Sequence, residues 1–244
     1  MNYGTFYPTN SFWHRRDPRL KLLVMVTSAT LTVTENRLSG QLFFLLVHAF
    51  LFYSARLPSS RAWKTISSFR WLLLLTFLAN LIFVSVNDSF LYLSRLLNLL
   101  LASSWLLGTS EPLTIIRGLE LIFKPFSRWL PVADVAMILG LSLSFFPLLQ
   151  QEATEITIAQ RARGVTFEGK WWKKITGLLA MVVPLFITSF RRSMEVAQAM
   201  EARGYIPGRQ RGSLYELKWV SQDTWSLLLT LIFAVLWSAQ RMLS

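Results

Sequence analysis

The chain of 244 residues is 53% hydrophobic and only 16% charged, where a soluble domain would carry about a quarter charged residues. Its formal net charge of +12 does not point to nucleic acid, because the basic residues stand in short clusters between apolar runs, as cytoplasmic loop charges do, and little soluble surface is left over. With no cysteine it has no disulfide, thiolate metal site or cysteine nucleophile, which fits a cytoplasm-facing inner-membrane protein.

Residues 1–19 are polar and lack an apolar core ahead of a small-residue cleavage site, so they read as a cytoplasmic N-terminal segment and not as a signal peptide. Four apolar runs follow, at 20–33, 38–57, 71–86 and 90–107. Each is near the ~20 residues that cross a bilayer core, the first being short and the fourth interrupted by Arg95 and Asn98. The linkers set the direction: His14, Arg15, Arg16, Arg19 and Lys21 surround the start of the first run, and Arg56, Arg61 and Lys64 follow the second. The linkers 34–37 and 87–89 carry almost no positive charge. By the positive-inside rule the N-terminus is cytoplasmic and the fourth helix returns to that side.

From Gly108 the apolar stretches shorten and mix with Arg117, Lys124 and Arg128. Two helix-like runs then end in the same tripeptide: Ala162-Arg163-Gly164 after Glu155 and Ala159, and Ala202-Arg203-Gly204 after Glu195 and Ala199. Hydropathy would also make 132–149 and 175–190 transmembrane, but parity opposes it. If both tripeptides face one compartment, the chain would have to recross within 164–173. Ten extended residues barely reach ~35 Å and would carry Glu168, Lys170 and Lys173 through hydrocarbon. The better solution is two long helices, about 131–163 and 171–203, lying under or shallowly in the membrane. A last run at 225–237, after the basic segment 209–218, crosses outward. The expected architecture is an all-α integral membrane protein: residues 1–19 cytoplasmic, 20–107 forming four transmembrane helices, 108–212 a cytoplasmic platform of long coupling helices, and 213–244 the fifth span.

On a helix Glu155, Ala159 and Arg163 form one stripe, as do Glu195, Ala199 and Arg203. Small alanines let another surface approach closely, and the glycine suits a left-handed helix stop. Arginine in the last turn complements the negative helix end and can grip a carboxylate with its planar fork. One Ala-Arg-Gly is most simply a good helix terminus; two, with matched Glu and Ala upstream, point to two equivalent docking points.

Residues 164–170, Gly-Val-Thr-Phe-Glu-Gly-Lys, imitate the start of a phosphate-binding loop. The next residue is Trp171 instead of the Ser or Thr that would hold the metal, and the segment follows a helix instead of a strand. It reads as a turn, so the chain is not expected to hydrolyse ATP. The two histidines, His14 and His48, have no acidic cluster beside them; His48 reads as a helix-to-helix hydrogen bond, and Arg95 and Asn98 as facing the bundle interior or snorkelling. Pro147 and Pro184 fall inside the two long helices, where they would kink them.

These features together resemble the transmembrane T component of energy-coupling factor (ECF) transporters, vitamin and metal importers related to ABC transporters. The likeness runs through Tyr7-Pro8-Thr9-Asn10-Ser11-Phe12-Trp13-His14, then Asp17-Pro18-Arg19-Leu20-Lys21-Leu22, Thr109-Ser110-Glu111-Pro112-Leu113, Leu130-Pro131-Val132 with Asp134, Phe146-Pro147-Leu148-Leu149 and both Ala-Arg-Gly motifs. Ser144 departs from it, standing where a basic residue is expected. The resemblance implies a non-catalytic subunit that binds no cofactor itself, ATP and Mg being held by two ABC-type ATPase subunits. Arg163 and Arg203 would each enter a groove on one of them, and the differing residues Val165 and Tyr205 after the motifs hint at a heterodimeric pair. It also implies a substrate-binding S component as third partner, lying on the apolar platform and the first four helices. The shared kind of T component is favoured by the opening at Tyr7-Pro8; a subunit dedicated to biotin, cobalt or nickel is the alternative. A membrane-embedded enzyme would need clustered acidic or histidine residues, and a channel would need polar residues along several spans.

Overall fold

The computed structural model describes residues 7, 9, 11–206, 217 and 219–243. Among the described residues the regular structure is entirely helical: α1 (Pro18–Thr34), α2 (Leu38–Ser54), α3 (Ser59–Ser68), α4 (Arg70–Phe83), α5 (Val86–Thr109), α6 (Pro112–Phe123), α7 (Val132–Ala162), α8 (Trp171–Ala202) and α9 (Ser221–Leu243), with a 3-10 turn at Lys124–Phe126. The chain divides into two compact units, Met1–Ile122 with Ser213–Ser244, and Phe123–Gly212. The all-α expectation holds. Pro8, Asn10 and the basic segment 209–218, apart from Leu217, lie outside the described residues.

In the first unit α5 is the axis. Helices α1, α2, α3 and α4 pack on it, and α9 packs on α1. Trp105 is 1% exposed and meets Trp13 edge-to-face at 5.1 Å, while the Trp13 indole donates to Ser54 Oγ at 2.8 Å. The segment before α1 is thereby pinned to α2 and α5 together. Helix α5 begins at Val86, so residues 87–89 are its first turn and not a linker. Ser85 Oγ accepts from the Asp88 N–H at 3.1 Å, and the Asp88 carboxylate complements the positive end of the helix.

The second apolar run stops at Ser54, where Arg56 takes a left-handed φ of 52° and turns the chain. Helix α3, a segment without a sequence expectation, then lies at 59° to α4, and Thr65 and Ser104 hydroxyls 3.1 Å apart hold it to α5.

The polar residues of the apolar runs meet one another. Asn98 is fully buried; its Nδ2 donates to the Gln41 carbonyl at 3.0 Å, and its Oδ1 lies 3.1 Å from His48 Nδ1. Gln41 Nε2 in turn donates to the carbonyls of Thr32 and Glu35 at 2.8 and 2.9 Å. Arg95 donates to Glu35 O at 2.8 Å and Asn36 Oδ1 at 3.1 Å. His48 is thus a helix-to-helix hydrogen bond, and Asn98 faces the bundle interior.

In the second unit α7 and α8 run for 31 and 32 residues through Pro147 and Pro184. Their contacts fix an antiparallel pairing. Glu152 Oε1 accepts from Arg192 at 2.6 Å and Oε2 from Thr188 Oγ1 at 3.3 Å, Thr157 Oγ1 reaches Met181 Sδ at 3.2 Å, and Tyr205 Oη donates to Asp134 Oδ1 at 3.3 Å. No residue of α7 is buried, and in α8 only Gly177 is. By length and apolarity alone α5, α7, α8 and the Ser221–Gln240 part of α9 could each cross a membrane, with α3 and α4 a fifth span if taken together.

Candidate docking ends of the long helices

The two Ala-Arg-Gly sequences build the same helix stop. At the end of α7, Gly164 has φ +87°, its N–H donates to Arg161 O at 3.0 Å, and the Val165 N–H donates back to Gln160 O at 3.0 Å. At the end of α8, Gly204 has φ +71°, and the corresponding bonds run from Gly204 to Glu201 O at 2.9 Å and from Tyr205 to Met200 O at 3.0 Å. This is the Schellman pattern bond for bond. Open space surrounds both glycines where a Cβ would stand, so the backbone angle alone requires them. Gly204→Val is therefore expected to destabilise the stop by about 1–2 kcal/mol, measured as faster amide exchange in the last turn of α8 while the middle of the helix stays protected.

On each helix the stripe leading to the stop is uncovered. Glu155, Ala159, Ala162 and Arg163 are exposed, as are Glu195, Ala199, Ala202 and Arg203. Because the helices are antiparallel, the two arginines stand at opposite ends of the pair, separated by nearly the whole of α8. At ~1.5 Å per residue that helix of 32 residues is about 48 Å long. Glu152, Thr188 and Arg192, which brace the pair, were not singled out by sequence; only the pairing register distinguishes Glu152 from its neighbour Glu155 three positions on.

The loop that imitates a phosphate-binding motif joins two helices. Its first glycine, Gly164, is spent on the stop of α7, and its Thr166 carbonyl lies where a Cβ on Gly177 would come within 2.9 Å. Arg161 covers the Phe167 ring at 5.7 Å. The loop therefore folds back on α8 as a turn.

The signature residues before and within the start of α1 form a second cluster, in the first unit. Asp17 caps α1, Oδ1 accepting from the Arg19 N–H at 2.9 Å, and Pro18 takes the first helical position, where its missing N–H is no loss. Lys21 is 2% exposed, and its Nζ donates to Thr109 O, at the end of α5, at 2.8 Å. Arg16 pairs with Asp223 of α9 at 3.6 Å and also donates to Gln222 Oε1. Asp223 Oδ2 accepts from the Val220 N–H at 3.0 Å, capping α9. Burial lowers the His14 imidazole below its ordinary value.

The model of the cobalt transport protein (CbiQ) family matches residues 9–214. The chain belongs to this family. Among curated relatives, the energy-coupling factor transporter transmembrane protein EcfT of Limosilactobacillus fermentum is 32% identical over 99% of this chain and 97% of the relative. The EcfT of Listeria innocua is 34% identical over 92% of each, and that of Lactococcus lactis 31% over 98% of each. With this family and its apolar helices, the chain is a multi-pass membrane protein and an ECF-transporter T component. At Ser144, the departure from the family pattern, the hydroxyl donates to Gly140 O of its own helix at 2.9 Å.

Proposed function

We propose that this T component is the mechanical joint of an importer, passing ATP-driven movement of two ATPase subunits to a substrate-binding S component. The observation that carries the reading is the pair of identical helix stops, each ending an uncovered Glu, Ala, Arg stripe, at the two ends of one antiparallel helix pair. Arg163 would enter a groove on one ATPase subunit and Arg203 the groove of the other, the two being unlike, with ATP and Mg held by those partners. The chain itself would catalyse nothing.

The antiparallel pairing also bears on how α7 and α8 lie. Standing across a bilayer, such a pair would present its arginines to opposite compartments, and a cytoplasmic ATPase could reach only one. Lying along the cytoplasmic surface of the inner membrane, it offers both. The N-terminus is then cytoplasmic and α1, α2, the α3–α4 pair, α5 and α9 supply the crossings. The apolar faces of α7 and α8, with Phe146, Phe186 and Phe190 exposed, would receive the S component that brings a vitamin or a metal ion. Val165 and Tyr205 after the two stops favour a heterodimeric ATPase, and a T component shared among several S components is the form we favour.

The test is purification by a tag on this chain after co-expression with the two ATPases and an S component. Recovery of all partners in one ATP-hydrolysing complex is expected. Isolation of the chain alone, with the ATPases pairing without it, would overturn the proposal.

A further inference from the structure

The first unit contains a second construction that docking does not use. Apart from Glu35 at the far end of α1, 5% exposed, its strongly buried charged residues gather in one place: Asp17 is 4% exposed, Lys21 2% and Asp223 1%, and the Arg16 side chain 8%. Burying ionic groups is expensive, and apolar contacts of similar size would hold helices together at least as well. What the ionic groups add is register. The question is therefore what needs to be held in register at this spot.

The answer lies in the course of the chain. It passes from the first unit to the second after Ile122 and comes back at Ser213. On the outgoing side, α5 ends at Thr109, whose carbonyl receives Lys21 Nζ at 2.8 Å, and α6 follows. Gly118 in the middle of α6 lies so close to α1 that a Cβ there would come within 3.3 Å of Pro18 Cβ and Leu22 Cδ1 and 3.4 Å of the Arg19 nitrogen. On the returning side, α9 begins with Gln222 and Asp223, both held by Arg16, and the Arg19 guanidinium stands 6.0 Å from the Trp219 ring. A single stretch, residues 16–22, thus holds both α6, after which the chain leaves the first unit, and the start of α9, by which it has returned.

We infer that residues 16–22 are a coupling clamp: they fix α6 and the start of α9 to the helices of the first unit, so that displacement of residues 123–212 moves those helices instead of being absorbed at the two flanking elements. The inference rests on the proposed role as a mechanical joint. Arg16, Lys21, Gly118 and Asp223 are positioning residues, touching neither ATP nor substrate. With the clamp loosened, the ATPases still engage the arginines and cycle, but their stroke is spent in moving the connections.

The experiment uses the complete complex, with both ATPases and an S component, reconstituted in vesicles in which ATP hydrolysis and substrate uptake are measured together. Their ratio does not depend on how much complex inserts, so a variant that folds poorly still gives a valid reading. Asp223→Asn, Lys21→Met and Gly118→Leu are expected to lower uptake per ATP by about tenfold while hydrolysis per complex stays within about twofold of the parent. Arg16→Lys, which keeps the charge, should retain most of the ratio, and Gly118→Ala should fall between the parent and Gly118→Leu. An unchanged ratio in the first three variants, or a fall in hydrolysis that matches the fall in uptake, would overturn the clamp. Failure of the underlying role shows elsewhere, as absence of ATPase binding by the parent chain.

Discussion

Reversing both docking charges, Arg163→Glu with Arg203→Glu, is expected to abolish recovery of the ATPases with this chain and to stop uptake, while the chain still inserts into the membrane. Truncating one partner of a desolvated charge pair costs about 2–5 kcal/mol, and on the proposed docking the loss would fall on both grooves. Each single reversal should be milder, because the other groove stays occupied. The stops themselves depend on Gly164 and Gly204, not on the arginine side chains, which are exposed, so the helices should end where they do now. Pull-down from membranes, with the amount of inserted chain as control, checks the result. Active ATPases co-purifying with the double variant would refute the docking role of these residues.

The second large effect concerns the first unit and involves no partner. Trp105→Ala should destabilise it by about 3–5 kcal/mol, as expected when a large aromatic is removed from a packed site and a cavity is left. Trp105 is the largest fully buried side chain among the described residues and the support on which Trp13 rests, so its loss loosens the segment before α1 as well. The indole nitrogen of Trp105 has no hydrogen-bond partner, so Trp105→Phe sacrifices volume and no polar contact and should cost much less. Thermal unfolding in detergent of parent and both variants gives the comparison. A Phe variant as damaged as the Ala variant would show that volume is not what matters there.

How much of this was legible in the sequence depends on how local each feature is. The helix stops were legible because Ala-Arg-Gly encodes its own geometry within one turn. The apolar runs located α1, α2, α4, α5 and α9, and polar residues within them, His48 and Asn98, were correctly read as facing the interior. Helix α3 escaped a reading by apolar runs because Ser59, Ser60, Arg61, Lys64, Ser67 and Ser68 make it polar on average although its two faces differ sharply, and its support, Thr65 on Ser104, comes from a helix far along the chain. The start of α5 was set too late because Asn87 and Asp88 look like linker residues. They are the first turn of a helix whose cap, Ser85, stands just upstream.

Long-range pairings were not legible. Nothing near Arg16 announces Asp223, and nothing near Glu152 announces Arg192; both partners become visible only once helices far apart in sequence are side by side. The signature Asp17-Pro18 could have been recognised as a helix start from its residue types, a capping carboxylate followed by a residue preorganised for the first turn. That Lys21 ends on the carbonyl of Thr109 could not.

The uncovered surface of α7 and α8 has a consequence for the cell that makes this chain. A copy synthesised ahead of its partners displays a long apolar ridge that no part of its own described structure buries, the kind of surface that aggregation and proteolysis act on. Under the proposed role, copies without partners are expected to be short-lived, so that the standing amount of the subunit follows the supply of whichever partner is scarcest; pulse-chase labelling of the chain expressed with and without its partners checks this.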